Sequence, residues 1–592
     1  MRAKRAFVAL ILCALAIVSS AAGALTESQR MLLFSGGRTS SSLAAQGNFV
    51  QASYDLNKAS LDSIATFSRA GNAMQFDSSG YLTYGPNNLL TQSNTFSDAS
   101  WAKNLVTVTG GVSDPVGGSN ASTITATGVN AFIYQGPTVA AGTRIASQLY
   151  VKRRTGSGSV FLYDQDGYTN TVDITASISG GGWVAINPSV LTASGSNAYI
   201  GVKINTSGDA VDVYAGVVAA VTYETAVRTQ DQVITTAAAY YGPRFDYTYN
   251  GSSWVPAGLL VEGAATNSFF GSSDPTNWSK LDVTAPSGQT APDGSTNAAT
   301  ITASAGGTYH YSYGVGATAT ASQARVVSVF VKQGTAPYVN FGISGDASWH
   351  VGWLKWSDLS TGATNGTVTV YPLGGGLYRL ALAYTMTNAV STQPYVGPDT
   401  ASRATAPNYS AAGTETVTAW GMQDEPGTIP SSYIPTSSGV AATRAAESVP
   451  VSAAVLAALQ GTNGTVFYEG EGTPVTLAVF VGSITGNYAL YTNNAASVIS
   501  YNTTTAITAS GTYTQGALFR AGVSWSAAGR SIALSGGAVT TDANPIGAFG
   551  SGYLGSNGAN LHVNNHIKSF AIYNSRLPDA TLQSKSVVNA AY

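Results

Sequence analysis

A chain of 592 residues is too long for a single hydrophobic core, and about 150 residues per domain suggests three to four. Hydrophobic residues reach 44% but Asp, Glu, Lys and Arg only 9%, so Ser, Thr, Asn and Gly must supply the polar surface of a chain with net charge −2. That balance argues against nucleic acid as a partner, while a lone Cys13 and four histidines exclude intrachain disulfides and cysteine-held metals and leave little for zinc or general-base chemistry.

Short polar side chains compete for backbone hydrogen bonds and disfavour helices, whereas Thr, Val and Tyr between Gly-rich turns favour sheets. The class expected is all-β. In chain order, Arg2, Lys4 and Arg5 precede an apolar run from Ala6 to Val18 and small residues ending in Ala22-Gly-Ala24. This is the layout of a secretory signal peptide over 1–24, and the run is shorter than the ~20 residues that span a bilayer. Its other reading is an uncleaved apolar arm docked into a partner. Cys13 lies inside the run without a lipoprotein-type cleavage setting. Thr26 suits the N-cap of a short helix over 27–33, and 35–47 is a Gly/Ser-rich linker, which makes 25–87 an attachment segment. The longest basic run beyond the leader, Lys152-Arg-Arg154, reads as a solvated strand end.

A diverged duplication follows. Asn88-Leu-Leu90, Ser93, Phe96 and Trp101-Ala-Lys103 parallel Leu259-Leu260, Thr266-Asn-Ser268, Phe270 and Trp278-Ser-Lys280. Ala-Ser-Thr-Ile124 parallels Ala-Ala-Thr-Ile301, and Ile145 to Lys152 parallels Val327 to Lys332. The tryptophan-to-lysine spacing is 51 residues in one copy and 54 in the other, so the same strands are expected in the same order. Gly180-Gly-Gly-Trp183 and Gly374-Gly-Gly-Leu-Tyr378 are turns common to both. The units are assigned to 88–240 and 241–447. A third segment, 448–592, carries further alternating runs at Gly464 to Tyr468, Phe519 to Trp525, Ser531 to Leu534 and His566 to Tyr573, then a short helix through Leu582. Short strands between Gly, Asn, Ser and Thr turns indicate tandem β-sandwich or jelly-roll domains.

Several of these segments form a recognisable set. Gly242-Pro-Arg-Phe-Asp246, Gly258-Leu-Leu-Val-Glu262 and Thr266-Asn267 resemble the opening of β-sandwich domains recurring in tailed-bacteriophage structural proteins. Trp420-Gly-Met-Gln423, Tyr433-Ile-Pro-Thr436 and Thr443-Arg-Ala-Ala446 resemble their exit. Thr66-Phe-Ser-Arg69 and Phe76-Asp77 echo the opening upstream, and Gln29 to Phe34 is similar to the start of some such phage proteins. Domains of this kind are similar in architecture to carbohydrate-binding modules. The segment 448–592 resembles a concanavalin/laminin-G-like jelly roll, with Asn565 to Tyr573 as its closing strand. The resemblance covers roughly 60–592. It departs from the pattern at Ser268, where leucine is often found, and in the export-type leader.

No nucleophile elbow, zincin motif, phosphate loop or cysteine cluster is present. Asp424/Glu425 and Glu469/Glu471 are the close acid pairs that glycoside hydrolysis would need. The first reads as solvated loop charge and the second as a polar strand face. Asp164-Gln-Asp-Gly167 resembles half of a calcium loop, but Thr175 stands where the bidentate acid belongs. The richest aromatic cluster is Trp349, Trp353 and Trp356, which could stack on the apolar C–H faces of a glycan. Alternation puts Trp349 and Trp353 on one face and Trp356 on the other, so one face is core. Trp101, Trp183 and Trp278 sit at repeated positions and read as sandwich anchors; Tyr488, Tyr491 and Tyr501 could also touch ligands.

The expectation is therefore a non-catalytic virion structural protein (a fibre, spike or decoration subunit) without metal or cofactor. It would bind host-surface polysaccharide and other virion proteins, and it is compatible with a homo-oligomer. The 25–87 segment would attach it, with the jelly roll distal. An exported glycan-binding adhesin outside any particle and a surface-polysaccharide depolymerase are the competing readings.

Overall fold

A computed structural model describes residues 50–55, 61, 64–166, 171–195, 197–473, 475, 477–493 and 496–590. The leader at 1–24, the helix expected over 27–33 and the linker at 35–47 lie outside the described residues. The described chain is all-β, with antiparallel strands stacked into three two-layered sandwiches. In the first, a five-stranded sheet centred on Ala198–Ile204 faces a six-stranded sheet centred on Arg144–Thr155 and Ala210–Val221. In the second, a six-stranded sheet around Tyr338–Ser344 and Gln393–Asp399 faces a seven-stranded one around Ala324–Gln333 and Thr416–Pro426.

Alternation along each strand divides core from surface. In Ala324–Gln333, Val327, Val329 and Val331 enter the core between the sheets, while Phe330 turns the other way to meet Trp420 and Tyr433. In the last sandwich, Phe570 and Ile572 of Asn565–Tyr573 fill the core, and Ala571 and Tyr573 lie under the helix Asp579–Lys585 through Leu582.

The duplication is visible atom by atom. Asn88 donates from Nδ2 to the carbonyls of Gly216 (3.0 Å) and Val233 (2.8 Å) and accepts at Oδ1 from the amides of Leu90 and Val218. Asn267 repeats all four bonds with Met422, Ile434, Phe269 and Asp424. Ser93 and Thr235 exchange side-chain-to-amide bonds, as do Ser272 and Thr436. Trp101 and Trp278 are buried, and each indole donates to the backbone (Gln92 and Gly271), both at 2.9 Å. Asn88 therefore corresponds to Asn267, not to the Leu259-Leu260 pair that the sequence parallel had suggested. Trp183 has no such role: it is half-buried, with the Lys152 ammonium 6.0 Å from its ring centre.

The sheet pairings run across the boundaries drawn at 87 and 241. The hairpin Arg244–Tyr249 and Trp254–Val261 is not part of the second sandwich; it extends the eight-stranded sheet of the last one, Leu259 opposite Ile567. Val50–Asp55 pairs with the remaining length of the same edge, Tyr54 opposite Phe570. Leu61 and Ile64 enter that core. Within the segment read as an attachment arm, the described Val50–Asp55, Leu61 and Ile64 are thus built into the last sandwich, the one expected to lie distal to it.

The resemblance residues meet at this junction. Buried Arg244 donates to Glu447 (2.7 and 2.8 Å), Glu262 (2.7 Å) and the carbonyl of Met74. Arg69 adds a 2.7 Å bond to Glu447, and Arg444 lies 3.4 Å from Glu262. Burial opposes the Arg244 charge, but Glu447 and Glu262 outweigh it and raise its pKa further. The same cations hold both glutamates below the ordinary carboxylate range despite burial. A buried set of this kind is costly to break, about 3–5 kcal/mol for the loss of one partner.

Candidate functional site

The face of the smaller sheet turned away from the core carries a cluster of aromatic rings in each duplicated sandwich, half-buried at Phe132, Tyr134, Phe161, Tyr309 and Tyr338 and buried at Tyr199, Tyr311 and Tyr395. On the first, Lys203 lies opposite both Phe132 and Phe161, and Gly201 lies opposite both Tyr134 and Tyr163, so these side chains share one face. The rings touch: Phe132–Tyr134 at 5.6 Å, Tyr134–Tyr163 at 5.6 Å and Tyr134–Tyr199 at 5.0 Å. The Lys203 ammonium stands 5.9 Å from the Phe161 ring centre.

The second sandwich reproduces the arrangement. Asp399 lies opposite Tyr338, Gly397 opposite Asn340 and Tyr395 opposite Tyr313, which puts Tyr311 beside Gly397 as Tyr134 is beside Gly201. Phe132, Tyr134, Phe161 and Tyr199 thus match Tyr309, Tyr311, Tyr338 and Tyr395. The central glycines match as well, because an added Cβ would lie 2.0 Å from the Ile133 carbonyl at Gly201 and 2.1 Å from that of His310 at Gly397. No side chain fits there, so both positions require glycine, and both glycines are buried beneath the rings around them.

The three tryptophans divide as alternation requires. Trp349 joins the outer cluster, stacked on Tyr309 (6.4 Å, 17°) and edge-on to Tyr395 (5.5 Å). Trp353 lies opposite Asn340 on the same face, edge-on to Tyr338 at 5.9 Å. Trp356 is 7% exposed within the core and is not a surface stacking residue: the same sheet geometry that presents the other two packs it against Tyr378. In the last sandwich Tyr488, Tyr491 and Tyr501 cluster at 5.1–6.2 Å over Val479 and Ile499.

The acid pairs do not stand together as catalytic pairs. Asp424 and Glu425 are buried rather than solvated: Asp424 pairs with Arg325 (2.8 Å) and accepts from Tyr384 and Thr392, while Glu425 accepts from Ser431 and Gln423. A bulge between Glu469 and Gly470 separates the other two. Glu469 faces Arg520 (3.7 Å) and the Asn589 amide. Glu471 instead bonds Nδ1 of His566 at 2.7 Å, and Asp246 bonds Nε2 of the same ring at 3.0 Å. Burial disfavours the imidazolium, yet the Glu471 charge and the bonds from Asp246 and Glu471 raise its pKa to about 10. The calcium-like motif at 164–167 falls on side chains outside the described residues. Among the described residues no three His, Cys, Asp or Glu side chains cluster as a metal site.

Composition and the tryptophan run pointed to one aromatic cluster and missed the duplicated one. The signal was present: Phe132/Tyr134 and Tyr309/Tyr311 are spaced by two at matching places in the copies. It is weak because tyrosine and phenylalanine are also ordinary strand residues.

No protein-family model matches the chain, and no curated protein matches it. Among solved structures, it is similar to the N-terminal CBM22-1–CBM22-2 tandem domain of Paenibacillus barcinonensis Xyn10C, at 11% identity over 58% of this chain and 98% of that one, with TM-score 0.20. It is also similar to a Trypanosoma rangeli sialidase in complex with 2,3-difluorosialic acid, at 11% identity over 90% of this chain and 98% of that one, with TM-score 0.19. Scores this low transfer neither site nor activity.

Proposed function

We propose that the protein is a non-catalytic adhesion component of a bacteriophage particle, a fibre, spike or decoration subunit whose outer aromatic faces hold host-surface glycans. The observation that carries the glycan reading is the recurrence of four aromatic positions around a glycine in both copies. The rings left partly open on these faces include Phe132, Tyr134 and Phe161 in the first copy and Tyr309, Tyr338, Trp349 and Trp353 in the second, where Tyr311 and Tyr395 pack into a buried cluster with Ala406. Sugars offer apolar C–H faces that pack on rings and hydroxyls that bond the phenol groups around them. Rings already fixed by their neighbours lose little freedom on binding, and weak contacts multiply when several faces engage one chain.

Membership of a particle rests on the resemblance of 242–267 and 420–446 to phage structural domains. The leader-like 1–24 favours the competing reading, an exported adhesin. Mass spectrometry of purified particles separates the two: stoichiometric presence is expected, and absence would favour secretion. A depolymerase would shorten host polysaccharide on incubation, and that result would overturn the non-catalytic reading.

A further inference from the structure

The two aromatic faces match in their rings but differ in charge at one position. Lys203 lies opposite Phe161 and Asp399 opposite Tyr338, each two residues beyond the central glycine of its copy, so the two occupy equivalent places. Asp399 is buried and fully engaged. Its carboxylate accepts from the amides of Thr400 (2.7 Å) and Ala401, from Nδ2 of Asn340 (3.2 Å) and from Nε of Arg403 (2.8 Å). Residues 400–415, between Gln393–Asp399 and Thr416–Pro426, carry Arg403 and pack Ala406 against Tyr311 and Tyr395. The first copy has only 205–209 at that place, between Ala198–Ile204 and Ala210–Val221. There Lys203 is half-buried beside the Phe161 ring, and among the described residues its ammonium has neither an ion-pair nor a hydrogen-bond partner. Asp173 lies on the same face but on the far side of Phe161, where its Oδ1 accepts from the Thr175 amide (2.9 Å).

We propose that the face of the first sandwich prefers acidic sugars, with Lys203 as the residue that holds their carboxylate. A uronic acid offers the same C–H faces as the neutral hexose and adds a carboxylate at the ring edge. Packed on Phe132 and Tyr134, it sets that charge beside a cation that no described side chain neutralises. Phe132 flanks Lys203 on the side away from Asp173, where repulsion from that carboxylate is least. The rings on either side of the ammonium keep water from part of it, which strengthens a charge pair over its worth in open solvent. In the second copy the cation nearest the equivalent place, Arg403, is already paired with Asp399, so the preference belongs to the first face. The inference rests on the reading of these faces as glycan sites and adds the charge of the ligand and the residue that reads it.

The test is binding of the full chain to immobilised oligosaccharides of polygalacturonate, alginate and hyaluronan, each beside its carboxyl-reduced counterpart. Reduction keeps the ring stereochemistry and removes the charge. At least one acidic oligomer is expected to bind about fivefold more tightly than its reduced form, which is what one partly exposed charge pair is worth. Lys203→Gln and Lys203→Met are expected to remove that difference and Lys203→Arg to keep it, with melting temperatures confirming that each variant is folded. Tyr134→Ala is expected to weaken the acidic and reduced forms alike. Acidic oligomers that bind no better than reduced ones overturn the inference, and a loss of both on Tyr134→Ala would then leave the face standing as a glycan site. A preference that survives in folded Lys203→Gln or Lys203→Met overturns it too. Binding by none of the six oligomers overturns it and counts against the glycan reading as well.

Discussion

At the scale of single residues, partners far away in sequence decide what each group does. His566 belongs to the closing strand, but its charge is held by Asp246 and Glu471 from two other strands. Its folded pKa of about 10 stands above the ordinary 6.5, so its contribution to stability is complete below about pH 6.5 and disappears as pH rises through 10. The melting temperature of the native chain is therefore expected to fall between those values, more steeply than that of His566→Gln. Parallel curves would show that the bridge does not stabilise the fold. None of this was legible beforehand, because the histidine and its acids are separated by 95 and 320 residues. The same is true of Asn267: the Thr-Asn pair was noticed, but three of its four backbone bonds reach residues more than 150 positions on. Burial of Trp101 and Trp278 was legible, since repetition of a large aromatic at equal spacing reports a shared core.

At the scale of elements, alternation reported where strands lie and could not report which edges they join. The runs at Gly464 to Tyr468, Phe519 to Trp525 and His566 to Tyr573 are strands in the structure. The helix Ala453–Leu459 went unremarked, although Ser452 before an Ala/Leu run is an N-cap signal, and its hydroxyl accepts from the Val455 amide. Placing Arg244–Val261 in the second unit followed chain order, whereas the pairing obeys a register with Asn565–Tyr573 that local sequence does not encode. One consequence is testable. A fragment 448–592 lacks both partners on one edge of Asn565–Tyr573, and Leu259, Val261, Leu61 and Ile64 are missing from its core. It is expected to aggregate or to give a poorly dispersed NMR spectrum. A cooperative melt with sharp, dispersed signals would contradict the pairing.

At the scale of the whole molecule, the three sandwiches repeat one plan, in which a broad sheet meets its neighbours and a smaller sheet turns rings outward. The sheet class and the duplication were readable from composition and spacing; the common outward plan was not, because it depends on which neighbouring strands share each face. The junction around Arg244 and Glu447 ties residues 69, 244, 262 and 447 together through buried charge, and a polysaccharide long enough to reach two of the faces would be held by both. Simultaneous contacts of this kind raise avidity by roughly 10²–10⁴ over a single face. The most direct measurement is retention of the full chain on immobilised host polysaccharide, comparing Tyr134→Ala, Trp349→Ala and the two combined, each with its melting temperature recorded. The single variants are expected to lose retention modestly and the combined one by roughly a hundredfold while remaining folded. Undiminished retention by a folded combined variant would contradict the claim that these faces bind glycans.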